Sequence, residues 1–313
     1  MKITLRRIMT LMAVCACGMA AAGEVSATDV EPGSVRVAFT LDDLGTTSGE
    51  PVEKTAKALL QAGVPEAYGF VNGMGVRDHP DNAASVRIWV QAGYQIGSHT
   101  FSHEGLDSVS AETYEHDILA NEPILKELAA PGADWHWFRY PHLSEGDTAE
   151  KKQAVRRFLS DHDYRIAQVT VDYPDWLFDA AYGRCLMQGN TDRTEWLKTV
   201  YLEKAIHSFV EAQRLSRELF GRDIPQIFLV HYSRFTGEIM PELLEGLKAH
   251  GARFITLQQA QSDPVYDMDP GVVLPSGENF LAMHMLARLP PTEDSGPKHV
   301  STWKAKVKGA CAE

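Results

Sequence analysis

Two adjacent carboxylates, Asp42 and Asp43, close the run Val35-Arg-Val-Ala-Phe-Thr-Leu. The run is β-branched and apolar up to Thr40, the pattern of a buried strand, and the C-terminal ends of such strands are where α/β proteins place reactive groups. Successive strand side chains point to opposite faces, so Asp42 and Asp43 are expected to face different ways and do different jobs. Side by side they repel, and a cation between or beside them is needed to keep both ionised. Asp-Asp-Leu-Gly is also good turn composition, so the pair alone leaves an exposed turn open. His99 and His103 form a second pair, four residues apart. At a helix start they would lie on one face and reach one ion; a capped turn with one buried His fits the same spacing. Two imidazoles plus Asp43 leave a coordination position open, as a catalytic site requires. Asp42 is then available as a base toward water acidified by the ion.

Three more stretches end in polar groups. Trp137-Phe-Arg-Tyr-Pro-His142 carries Arg139, a natural partner for a carboxylate that must stay ionised. Asp172-Tyr-Pro-Asp-Trp176 offers Asp175 as a carboxylate partner for His231, which closes the apolar strand Ile227 to His231. Each has a plainer reading, a surface Arg and a satisfied core His.

Elements must bring these stretches together. Apolar residues at helical spacing predict helices over Glu50–Ala62, Ala83–Ala92, Ser110–Leu128 (opened by Ser110 as cap) and Glu150–Asp161. Short apolar runs predict strands at Tyr68–Val71, Tyr94–Gly97, Trp135–Arg139, Arg165–Asp172, Ile227–His231 and Arg253–Thr256, with a Gly-rich turn at Asn72–Gly75. Strand and helix alternate, which predicts an α/β fold with a parallel sheet, rolled or wound, and helices outside. One or two helices fill Trp176–Gly221, Thr194–Phe220 being the clearest. From Asp263 onward Pro, Gly and turn residues predict an irregular arm over the surface.

Taken in order, the five polar-ended stretches resemble the polysaccharide deacetylases of the NodB-type carbohydrate esterase family, over about Val35 to Leu257. The resemblance implies a distorted (β/α) barrel with fewer than eight strands, here with a helical insertion and the irregular C-terminal arm. It implies a hydrolase that removes acetyl groups from N-acetylated sugars of a cell-wall or chitin-like polysaccharide or oligosaccharide, with zinc or another divalent ion as cofactor. An O-acetyl esterase on a glycan such as xylan, or a non-catalytic glycan-binding barrel, are the alternatives. Carried over by position, Asp42 is the implied base, Asp43, His99 and His103 the metal ligands, and Arg139 the residue that holds the base. Asp175 and Trp176 match an Asp-Trp pair near the product pocket, and Leu229 and His231 the apolar residue and general acid of the last motif. Tyr140, Pro141 and His142 fall at the implied substrate site, with the His142 backbone N–H expected to help hold the oxyanion. Two positions depart from the pattern: Leu44 stands where Gly is usual, and His142 where an aromatic is usual after Pro.

The chain of 313 residues is 44% apolar and 23% charged, ordinary globular composition with room for a large core. Its formal charge of -12 and the lack of a basic cluster argue against a nucleic-acid partner. Lys2, Arg6 and Arg7 precede a small-residue apolar run, Ile8 to Ala22, too short for a comfortable membrane span. Cleavage after Val25-Ser26-Ala27 would remove residues 1–27 as a secretory signal, leaving 28–262 as the catalytic domain and 263–313 as a C-terminal extension. A periplasmic or extracellular protein is expected, with no stable membrane insertion; a lipoprotein modified at Cys17 is an alternative. Cys185 and Cys311 remain after cleavage, and the sequence leaves open whether they pair.

Overall fold

The structure, a computed structural model, describes residues 34–46, 49–289 and 302–312. The expected signal segment with Cys15 and Cys17 lies outside the described residues. Seven parallel strands form one sheet: β1 (Val35–Leu44), β2 (Ala67–Val71), β3 (Gln95–Ser98), β4 (Trp137–Phe138), β5 (Arg165–Ile166), β6 (Gln226–His231) and β7 (Ala252–Ile255). The order is β5-β4-β3-β2-β1-β6, and β7 pairs with the start of β1, Val35–Ala38. Past β5 the chain runs back to β6, where Val171 bridges Phe228, and this curls the sheet into a distorted (β/α) barrel. A parallel sheet covered by helices needs strands apolar on both faces. β1 meets this: every residue from Val37 to Asp42 is buried, and the Phe39 ring stacks on Phe228 of β6.

Eleven α-helices are described: α1 (Gly49–Gln61), α2 (Gly73–Asp78), α3 (Pro80–Gln91), α4 (Ala111–Leu128), α5 (Ala149–Asp161), α6 (Leu177–Met187), α7 (Thr191–Phe220), α8 (Arg234–Ala249), α9 (Leu257–Gln261), α10 (Phe280–Leu286) and α11 (Thr302–Lys308). Ser110 caps α4 as expected, its hydroxyl accepting from the Thr113 N–H. α6 and α7 are the helical insertion, and α7 ends on Gly221 in a left-handed conformation, φ 72°. None of the helices is long and apolar enough to cross a membrane, among the described residues.

Three expectations need correction. The expected turn at Asn72–Gly75 is mostly helix α2. The expected strand Arg165–Asp172 is regular only at Arg165–Ile166, because its later part leaves β4 to reach β6. The C-terminal arm is less irregular than its composition suggests. Asn279 caps α10, whose Phe280 and Leu281 are buried, and the Phe280 N–H bonds the Val169 carbonyl at 2.8 Å.

α11 is fixed to the insertion. Cys185 of α6 and Cys311 form a disulfide across 126 residues, and Arg184 beside it bonds the Lys308 carbonyl at 2.6 Å. A cross-link closing so long a loop typically stabilises by about 2–4 kcal/mol. Cys185→Ser should therefore lower the unfolding free energy by an amount of that order, read as a lower denaturant midpoint, and reductant should lower the wild-type midpoint to match. A midpoint indifferent to both would show that the bond adds no constraint.

Candidate active site

Register delivers the site. Parallel pairing sets Asp42 opposite His231 on β1 and β6, and Val71 opposite Ser98 on β2 and β3. Ser98 in turn pairs with Phe138, so His99 and Arg139 leave neighbouring strand ends together. The Arg139 N–H bonds the Ser98 carbonyl at 2.9 Å.

Strand pleating would send Asp42 and Asp43 to opposite faces, and here the structure corrects the sequence. The register of β1 against β2 shifts between Leu41 and Leu44, and Asp43 takes a left-handed conformation, φ 67°. This bulge turns both carboxylates toward one cavity. Leu44, where Gly was expected, is fully buried and fills the space over Gly69, where a Cβ would lie 2.6 Å from its Cδ2. His99 and His103 also differ from expectation. They lie on no helix; the loop between them bends through left-handed Thr100 and His103, φ 58° and 64°. Asp117 of α4 holds that loop, accepting from the Ser102 N–H at 3.1 Å and from its hydroxyl at 2.9 Å.

Of the seven non-glycine residues with positive φ among those described, five are Asp43, Thr100, His103, His142 and Leu143. Side chains in this region cost energy that the surrounding structure must offset, and such residues gather at functional sites. Here all five border one cavity or the loop between its two histidines.

Asp43, His99 and His103 place one ligand atom each within 4.8 Å of one another. His103 Nε2 is 3.3 Å and His99 Nε2 3.9 Å from Asp43 Oδ1. His99 Nδ1 donates to the Arg139 carbonyl at 2.8 Å, which leaves Nε2 as the lone-pair nitrogen, 3.7 Å from Asp42 Oδ2 and turned also toward Asp43. Burial pushes His99 below its ordinary pKa, and burial beside His99 lowers His103 to about 4, so both imidazoles are neutral at pH 7. Burial alone would raise the Asp43 carboxyl, but the surrounding histidines and the Asn72 amide hold it below the usual carboxylate range. Two neutral imidazoles and an ionised carboxylate are a fitting donor set for a divalent cation.

Arg139 is 1% exposed and fully engaged. Nη1 donates to Asp42 Oδ1 at 3.0 Å, Nη2 to the Thr40 hydroxyl at 3.1 Å, and Nε to the Ala167 carbonyl at 2.8 Å. His231 is gripped by Asp175: the imidazole Nδ1 lies 2.7 Å from Oδ1, and the backbone N–H donates to Oδ2 at 2.7 Å. Burial would lower the His231 pKa, but the Asp175 charge and hydrogen bond outweigh it and raise it to about 10. With Nδ1 committed, Nε2 is the nitrogen available to the cavity.

That cavity has a volume of about 560 Å³ and takes in Asp42, Asp43, His99, His103, His142, Trp176, Leu229 and His231. Arg139 and Asp175 stand behind Asp42 and His231 and position them. Two expected substrate residues are placed elsewhere. Tyr140 is buried among the Tyr114 and Phe138 rings, and Pro141 is buried beside it; neither lines the cavity. Their neighbour His142 is exposed at the rim, its ring 4.5 Å from that of His103.

Sequence reasoning missed a wall of this site. Asp172, Gly277, Glu278 and Lys304 line the cavity too. The Asn279 amide donates to Asp172 at 2.6 Å. Burial pushes the Asp172 carboxyl up, with Glu278 and Asp175 adding to it against the pull of Asn279. A Cβ on Gly277 would sit 1.9 Å from the His142 carbonyl oxygen and 2.4 Å from the Leu143 carbonyl carbon. The arm thus presses on the strained His142–Leu143 turn, and only glycine permits the approach. No pattern in the Pro- and Gly-rich arm signals this.

The arrangement can hold a cation and flank it with a proton acceptor and a proton donor, which suits hydrolysis of an acyl group. Residues 29–167 match the family profile described as polysaccharide deacetylase. That match spans a little under half of the chain. It is 25% identical over 229 residues to a peptidoglycan-N-acetylglucosamine deacetylase of Bacillus cereus, covering 71% of this chain and 66%, just under two thirds, of that protein. Among solved structures it is similar to a CE4-family pseudoenzyme from Bacillus anthracis, with TM-score 0.52 and 16% identity over 74% of this chain and 66% of that one. A family 4 acetyl xylan esterase from Clostridium thermocellum, solved with a cobalt ion, gives TM-score 0.50 and 19% identity over 72% of this chain and 90% of that one. At such identities these two likenesses speak for the fold.

Gly277→Ala tests the contact between arm and turn. Small misplacements of groups at a reacting centre cost rate far more than binding. The substitution should lower kcat for acetate release by about 10- to 100-fold with a smaller change in KM. An unchanged kcat would mean that the turn moves without consequence.

Proposed function

We propose that the protein is a metal-dependent deacetylase acting on N-acetylated sugars of a glycan. The observation that carries the reading is the placing of Asp42 and His231, register partners on β1 and β6, in one cavity with Asp43, His99 and His103. Fold alone would not suffice, since a neighbour with the same fold is a pseudoenzyme. The Bacillus cereus relative's name supports an N-acetylglucosamine unit in a cell-wall polymer as substrate. The disulfide supports an exported protein, because disulfides persist in oxidising compartments.

Asp43, His99 and His103 would hold the ion, and their nitrogen-rich donor set favours zinc. Bound there, a divalent ion supplies Lewis acidity toward the acetyl carbonyl and toward water. Asp42 takes the proton of the attacking water, and Arg139 fixes its orientation. As the water oxygen bonds to the carbonyl carbon and the C–N bond breaks, His231 delivers a proton from Nε2 to the departing nitrogen. Acetate and a free amine result. An amine leaves poorly without that proton, so an imidazolium stabilised by Asp175 suits an amide better than an ester.

Acetate release from an N-acetylglucosamine oligomer should be abolished by chelator and restored by zinc. Asp42→Asn should retain the ion and lose about 100- to 10,000-fold in kcat. Chelator-resistant turnover, or near-normal turnover in the metal-loaded variant, would overturn the reading.

The pH profile tests His231 separately. Asp175 raises its pKa, so removing that charge lowers it, and the protonated acid is then lost at lower pH. Asp175→Asn should shift the alkaline limb of kcat/KM downward. An alkaline limb that stays in place would remove His231 from the acid role.

A further inference from the structure

The cavity carries four carboxylates, Asp42, Asp43, Asp172 and Glu278, and among the described residues lining it Lys304 is the one Lys or Arg. His231 and the ion that Asp43, His99 and His103 would hold serve the acetyl group, so beyond them Asp172 and Glu278 repel an anionic glycan unless a further cation stands where the anion must go. Lys304 is built into its place. It lies on the short helix α11, which seven residues could not hold by themselves. The disulfide to α6, the Arg184 bonds to the Lys308 and Ala310 carbonyls, and burial of Val307 and Ala310 hold that helix instead. Next to Lys304, the Trp303 ring stacks on Phe178, with centroids 6.1 Å apart. Lys304 itself is partly buried and makes no ion pair among the described residues. Its neighbours on the helix, Lys306 and Lys308, are exposed and outside the cavity.

We propose that Lys304 forms a subsite for a carboxylate carried by the glycan, on the sugar next to the one that loses its acetyl group. The proposal rests on the deacetylase reading. A cavity of about 560 Å³ exceeds the needs of an acetyl group and has room for a sugar and part of its neighbour. Trp176, 57% exposed at the rim, offers an aromatic face for the ring. The Lys304 ammonium supplies the charge-assisted contact that the four carboxylates cannot. The glycan is thereby of the acidic kind, bearing a lactyl ether carboxylate or a uronate.

The test compares an acetylated tetrasaccharide bearing one carboxylate beside the acetylated sugar with its methyl ester, which has the same shape and no charge. Two such pairs are used, one a lactyl ether and one a uronate. For the source it fits, the wild-type ratio of kcat/KM, carboxylate over ester, should exceed that of Lys304→Gln by about 3- to 10-fold, the range of one partly screened ion pair. Lys304→Glu should lower the ratio further, and Lys304→Arg should keep most of it. Lys306→Gln makes the same change in net charge on the same helix and should leave the ratio alone. Calorimetric binding of both pairs to Asp42→Asn, with and without Lys304→Gln, reads the same preference without turnover. If wild type releases acetate from neither compound, the deacetylase reading fails while the binding ratio still decides the role of Lys304. Equal ratios in wild type and Lys304→Gln for both pairs, or an equal fall in Lys306→Gln, would overturn the proposal.

Discussion

The site depends on a buried ion pair that is costly by itself. Arg139 and Asp42 are 1% and 2% exposed, and taking two charges out of water costs several kcal/mol per ion unless every donor finds an acceptor. All three Arg139 nitrogens donate, to Asp42, the Thr40 hydroxyl and the Ala167 carbonyl, and the guanidinium lies 4.6 Å above the Phe70 ring. Those partners come from β1, β2 and the segment after β5. The pair therefore forms only when the barrel has closed that far, and it ties barrel closure to the readiness of the base. It also explains the division of labour between the two aspartates. Asp42 is claimed by Arg139, while Asp43, released from the pleat by its left-handed backbone, turns to the histidines.

Much of this was legible in the sequence because strand ends can be read from apolar runs. Asp42, Arg139, His231 and His99 each follow such a run, and parallel register brings their ends to one level without further information. What escaped depends on backbone conformation. The bulge at Asp43 and the left-handed turns at Thr100, His103 and His142 occur where no glycine marks them, and their supports are distant: Asp117 for one loop, Gly277 for another. Tyr140 and Pro141 show the converse limit. The resemblance placed them at the substrate site, yet both are buried away from the cavity. Helix α8 was not foreseen at all, since Gly237 and Pro241 interrupt the composition of an otherwise amphipathic run.

The arm was misread for a related reason. Averaged over the tail, its composition is that of a loop, but a cap and two large apolar residues, Asn279, Phe280 and Leu281, suffice to dock α10. Local exceptions of this kind vanish in any composition average. Docking then has chemical consequences, because the residues that lead into α10 carry Gly277 against the His142–Leu143 turn and Asn279 onto Asp172.

The site is thus assembled from two sources under different constraints. The segment that matches the family profile holds Asp42, Asp43, His99, His103 and Arg139, all at or beside the ends of strands that the barrel fixes. The facing wall, with Asp172, Gly277, Glu278 and Lys304, comes from the chain beyond that match. A strand end can move little without breaking register, so chemistry placed there is hard to change. An arm and a short helix held by caps, one disulfide and a few buried side chains have no register to keep. Their residues can be exchanged with little disturbance to the barrel, and that freedom makes this wall the natural place for substrate preference to reside.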